Sequence, residues 1–135
     1  MNAHSRHEQD DERSPAVGQA DAGAVAWRAV VHAQQSATPD HADLYSLAGH
    51  LVGTLAAVES LAGVLARQVA GYADSLPAGR VLYDDEDANP AHRLRAAVLA
   101  LAETRHGLAR AERATNQFWS VIGHIGTRYQ DGDRS

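Results

Sequence analysis

The chain lacks cysteine and lysine altogether, and aromatic side chains make up only 5% of its 135 residues. Without cysteine there are no disulfides, no thiolate metal ligands and no cysteine nucleophile. Without lysine every basic side chain is arginine, a bias that matches a G+C-rich coding sequence, with a demand for guanidinium groups as the lesser reading. Few aromatics and abundant alanine favour helices around a thin core. Catalytic patterns are missing as well. There is no nucleophile elbow, no phosphate-cradling glycine loop and no serine–histidine–acid spacing. A non-catalytic protein without cofactor or metal is therefore expected.

The N-terminal stretch "MNAHSRHEQDDERSPAVGQADAG" contains no apolar core of signal-peptide type, so a cytoplasmic location is the expectation. Its mixed charges and small residues bury too little surface to offset chain entropy, which predicts a disordered arm over residues 1–20. The tail over 130–135 reads the same way. Between them, residues 21–129 are expected to form a single helical domain.

What the chain does have is helical periodicity. From Leu44, alternate steps of four and three residues meet Ala48, Leu51, Leu55, Val58, Ala62, Leu65, Val69, Tyr72 and Leu76, all apolar. This 3.5-residue repeat predicts a long helix over 39–76 with a coiled-coil-like seam. Thr38 is placed to cap it, Pro39 suits a first helical position, and Pro77 and Gly79 stop it. A second row runs Leu94, Ala97, Leu101, Thr104, Leu108, Ala111, Thr115, Phe118, Ile122, Ile125 and Tyr129. It predicts a helix over 90–128, opened by Asn89 and Pro90. The two threonines can return their hydroxyls to carbonyls of the preceding turn. Their connection is short, so the helices should form an antiparallel hairpin. A shorter helix over 22–36 precedes them, with Trp27 as its anchor.

The first long helix carries more apolar surface than one seam covers, with Leu47, Val52, Leu61 and Val64 lying off the heptad row. A helix apolar nearly all round is normally buried on several sides. The expected fold is thus all-α, a long antiparallel hairpin with a short N-terminal helix, dimerising into a four-helix bundle. Membrane insertion is not expected, because His50 and Glu59 interrupt the apolar stretch and no basic or aromatic belt flanks it.

Several polar patterns point to chemistry, and each has a simpler reading. Glu103 and His106 spell the Glu-x-x-His pair of di-iron bundles, but the row through Leu101 and Leu108 sends them outward, and the first long helix carries no matching pair. Asp84, Asp85, Glu86 and Asp87 lack the alternate oxygen spacing of a calcium loop and precede a helix N-terminus, where negative charge is stabilised. The eight histidines do not pair at i and i+4. Residues 90–128 hold six arginines against Glu103 and Glu112, a local charge of +4 in a chain of net charge −5. Arg105, Arg110 and Arg113 could face an acidic partner or nucleic-acid phosphates.

A helical hairpin followed by Tyr129-Gln-Asp-Gly-Asp133 resembles the Tyr-x-x-x-Asp/Glu export signal of WXG100-like type VII secretion substrates. The resemblance covers the hairpin outline and those two residues, and it implies a small dimerising helical hairpin that is exported. The family places Trp-x-Gly in the turn, whereas residues 77–89 hold no tryptophan. Three functional expectations follow: a scaffold or adaptor acting by protein contact and self-association, a type VII secretion substrate or partner, and a nucleic-acid accessory. The candidate interaction residues are Leu47, Val52, Leu61, Val64, Trp27, Trp119, Arg105, Arg110 and Arg113.

Overall fold

The computed structural model describes residues 14–130. Among them the secondary structure is helical throughout: α1 (Pro15–Gln35), α2 (His41–Ala70), a single 3-10 turn (Ala73–Ser75) and α3 (Pro90–Gly123). The chain divides into two units, Met1–Pro39 and Asp40–Ser135. The expected disorder over residues 1–13 and 131–135 lies outside the described residues.

In the first unit α1 begins at Pro15 rather than at residue 22. Ser14 sets this start, because its hydroxyl accepts from the Val17 amide at 3.3 Å while Pro15 supplies a fixed φ at the first helical position. The small, polar run up to Ala24 therefore joins the helix instead of extending the arm.

In the second unit α2 and α3 pack against each other as the expected antiparallel hairpin. Capping explains the shifted start of α2. Asp40 rather than Thr38 is the cap, its carboxylate accepting from the Asp43 amide at 3.2 Å, so the helix opens at His41. It closes at Gly71, earlier than residue 76, and the chain tightens into the 3-10 turn where the Ser75 hydroxyl donates to the Tyr72 carbonyl at 2.8 Å. Asn89 and Pro90 open α3 as expected, with Asn89 Oδ1 accepting from the Ala91 amide at 2.9 Å. Thr104 and Thr115 donate to the carbonyls of Ala100 and Ala111, as read from the sequence. The helix ends at Gly123, five residues short of expectation, in a stretch where Gly123 and Gly126 both disfavour helix.

The seam corrects the heptad row. Ala48, Leu55, Ala62 and Val69 face α3, but Leu51, Val58 and Leu65 remain exposed while their neighbours Val52, Glu59 and Ala66 are half-buried. On α3, Leu94, Leu101, Leu108, Thr115 and Ile122 turn inward, whereas Thr104, Phe118 and Ile125 are exposed. The buried residues of α2 are Ala48, Ala62 and Gly63, so small side chains form the contact layer. Leu55 and Leu108 are half-buried and do not sit in a fully packed layer.

The acidic connection is a structured clamp at the closed end of the hairpin. Asp84 Oδ2 accepts from the amides of Glu86 at 2.9 Å and Ala88 at 3.0 Å, while its Oδ1 accepts from Arg93 Nε at 2.9 Å. Arg93 also donates to Glu86 at 3.2 Å, tying the connection to the first turn of α3. The Ala88 amide and the Arg93 guanidinium hold the Asp84 carboxyl below its ordinary pKa. A lowered folded pKa contributes stability above the unfolded carboxylate range and loses it as pH falls through the folded value. Asp84→Ala should therefore weaken the hairpin at neutral pH in urea melts, and the gap to the natural chain should close as the pH is brought below 4.

Candidate functional site: the two flanks of the hairpin

Close approach between α2 and α3 is concentrated on one flank of the seam. At the open end a Cβ on Gly49 would stand 3.0 Å from Trp119 Cζ2, and one on Gly123 would stand 3.1 Å from Tyr45 Cε2. Any larger residue at either position would press on the aromatic ring by a few tenths of an ångström. Tyr45 and Trp119 meet with ring centroids 5.7 Å apart and planes tilted by 47°. The Trp119 indole nitrogen is buried against α2 and has no hydrogen-bond partner, a desolvation cost of about 1–3 kcal/mol that the aromatic packing must offset. Further along, the Arg105 guanidinium carbon lies 3.4 Å from where a Gly63 Cβ would be.

Between these contacts Glu59 and Glu112 face each other across the seam, and both are half-buried. The hydrogen bond from Glu59, followed by desolvation and like-charge repulsion, raises the Glu112 carboxyl above its ordinary pKa, against a smaller lowering by Arg113. Two carboxyls can share a hydrogen bond only when one of them keeps its proton. Apolar periodicity placed Val58 in this layer, and the structure puts Glu59 there instead. Sequence reading missed the pair because Glu59 stands beside a better apolar candidate.

The candidate interaction residues fall in separate places. Val52 and Leu47 are half-buried along the seam, whereas Leu61 and Val64 are exposed at 48% and 38%. Trp119 serves the aromatic contact of the hairpin itself, and Trp27 is half-buried on α1. The arginines do not act together. Arg93 is held by Asp84 and Glu86, and Arg105 lies over Gly63. Arg110 and Arg113 are exposed beside Glu103, His106 and Ala109 in a shallow outer cleft. Two guanidinium groups next to the Glu103–His106 pair oppose the binding of a cation there. Among the described residues no three or more His, Asp or Glu side chains gather in a way that could hold a metal ion. Tyr129 follows α3 at 91% exposure, and Asp133 of the Tyr-x-x-x-Asp pattern lies outside the described residues.

The opposite flank is apolar and open. Leu51, Val58, Leu61 and Leu65 of α2 are exposed at 39%, 42%, 48% and 38%, and Phe118 and Val121 of α3 at 45% and 53%. By length and composition α2 is also a helix apolar enough to cross a membrane. No family model, curated protein or solved structure matches the chain.

Two measurements test this geometry. Gly53→Ala, whose methyl group meets nothing within 4 Å, should stabilise the hairpin by up to about 1 kcal/mol through helix propensity. Gly49→Val should push into Trp119 and destabilise it by about 1–3 kcal/mol. Urea melts at fixed protein concentration separate the two signs.

The carboxyl pair makes a second prediction. A raised folded pKa gives stability that is complete below the unfolded value and lost as pH rises through the folded one. Glu112→Gln should thus be more stable than the natural chain at pH 7 to 8, with the difference vanishing or reversing near pH 4. An equal gap at every pH would show that the two carboxyls do not share a proton.

Proposed function

We propose that this chain is a non-catalytic helical scaffold or adaptor module that works by protein–protein contact, its hairpin self-associating as a dimeric four-helix bundle. One observation carries the reading. The hydrophobic residues fully buried in the hairpin are Ala48 and Ala62, whereas Leu51, Val58, Leu61, Val64 and Leu65 all stay exposed on α2. A helix of this composition in water loses roughly 25 cal/mol for each Å² of apolar surface left uncovered, which favours association. Contiguous apolar surface of this kind marks an interaction site on a soluble protein.

Self-association is the economical way to cover it. Each copy supplies two helices, and two copies complete the layer count of a four-helix bundle. The adaptor role follows because the arginine-bearing outer surface of α3 remains available once the apolar flank is used.

Multi-angle light scattering on the full chain tests this. A mass near twice the 14.4 kDa of one chain is expected at micromolar concentration. A monomer mass across that range would remove the self-association reading.

A further inference from the structure

Resting on that self-association reading, we infer that the partner on the apolar flank is a second copy related by a two-fold axis parallel to the helices, so that each α2 lies in the partner's α3 trough.

The apolar residues of the two helices share one side of the hairpin. Antiparallel helices are related by a local two-fold perpendicular to their plane, which carries an equal rotation about each axis to the same side. Tyr45, Gly49 and Gly63 meet Trp119, Gly123 and Arg105 on one flank. Turning the opposite way from the seam leads on α2 to Leu51, Val58, Leu61 and Leu65, and on α3 to Thr104, Gly107, Ala111 and Ala114, followed by Phe118 and Val121. The first set is a ridge of long side chains. The second is a trough of small ones from Thr104 to Ala114, closed at one end by Phe118, and a Cβ added at Gly107 would meet nothing within 4 Å.

The register aligns ridge with trough. Glu59 opposite Glu112 and Gly63 opposite Arg105 place Leu61 level with Gly107 and Leu65 level with Thr104. A two-fold axis parallel to the helices keeps every residue at its height and exchanges left for right. It sets Val58, Leu61 and Leu65 of one copy over the trough of the other at matching levels, and Leu51 over Phe118. An axis across the helices would stack ridge on ridge instead. Neither row carries a charge, so symmetry brings no like charges together. Leu51–Leu65 and Thr104–Val121 extend over at most about 25 Å, and with a width of roughly 20 Å the footprint is on the order of 500 Å² per copy, just below a standard interface.

The absence of cysteine makes the test direct. Full-length Leu61→Cys and Gly107→Cys chains are mixed in equal amounts, re-equilibrated and oxidised. Random exchange pairs the two variants in about half of the dimers, and those should cross-link. Leu61→Cys alone should stay unlinked, because the two α2 helices lie diagonally. Leu65→Cys with Thr104→Cys repeats the measurement one turn away, and circular dichroism checks that each variant is folded. A dimer in which Leu61→Cys cross-links to itself, or in which neither mixture cross-links, overturns this arrangement while leaving self-association intact. Failure of the natural chain to dimerise removes the underlying reading instead. Sedimentation of the natural chain with phosphatidylcholine–phosphatidylglycerol vesicles, abolished by Leu61→Glu, would assign the flank to lipid and also overturn the proposal.

Discussion

Where α2 meets α3 the contact layer is built from some of the smallest side chains available. Ala48, Ala62 and Gly63 are buried, and Trp119 and Tyr45 lie close against Gly49 and Gly123, which present no Cβ. Small residues let helix axes approach towards the short end of the usual 8–10 Å range. Leu55, Leu94, Leu101 and Leu108 share that layer, while Leu51, Val58, Leu61 and Leu65 lie to one side of it. The uncovered flank thus runs beside a closely packed seam.

Side-chain contacts tie the hairpin together at both ends. At the closed end Asp84 ties two loop amides and Arg93 into one network, which offsets the entropy of a fourteen-position connection whose Gly79 and Asp87 adopt positive φ. At the open end the Tyr45–Trp119 contact supplies the largest apolar anchors. Between them stand two facing carboxyls. Acid weakens the first element and strengthens the last, so pH redistributes stability along the hairpin rather than changing it uniformly.

Much of this fold was legible in the sequence, and the limits have a physical cause. The all-helical hairpin, the Asn89–Pro90 start and the back-bonded threonines Thr104 and Thr115 are local features, set by capping, φ restriction and periodicity. The phase of the seam is not local. A 3.5-residue walk along α2 can pass through Leu51, Val58 and Leu65 or through Val52, Glu59 and Ala66, since the two rows share Ala48, Leu55, Ala62 and Val69. Apolarity selects the first row. The structure takes the second, and in doing so it buries part of Glu59 beside Glu112. Neither that pair nor the placement of Arg105 over Gly63 leaves a signal in either helix read by itself.

The same competition links packing to the proposed contact. Had Leu51, Val58 and Leu65 formed the seam, α2 would have hidden those side chains against α3 and left Leu61 and Val64 outside. With alanine and glycine inside, Leu61 and Leu65 of α2 stand level with Gly107 and Thr104 of α3. Such an arrangement suits the two-fold contact proposed above. A segregation of size at constant apolarity can therefore encode a docking geometry that hydropathy, which counts leucine and alanine alike as apolar, does not register.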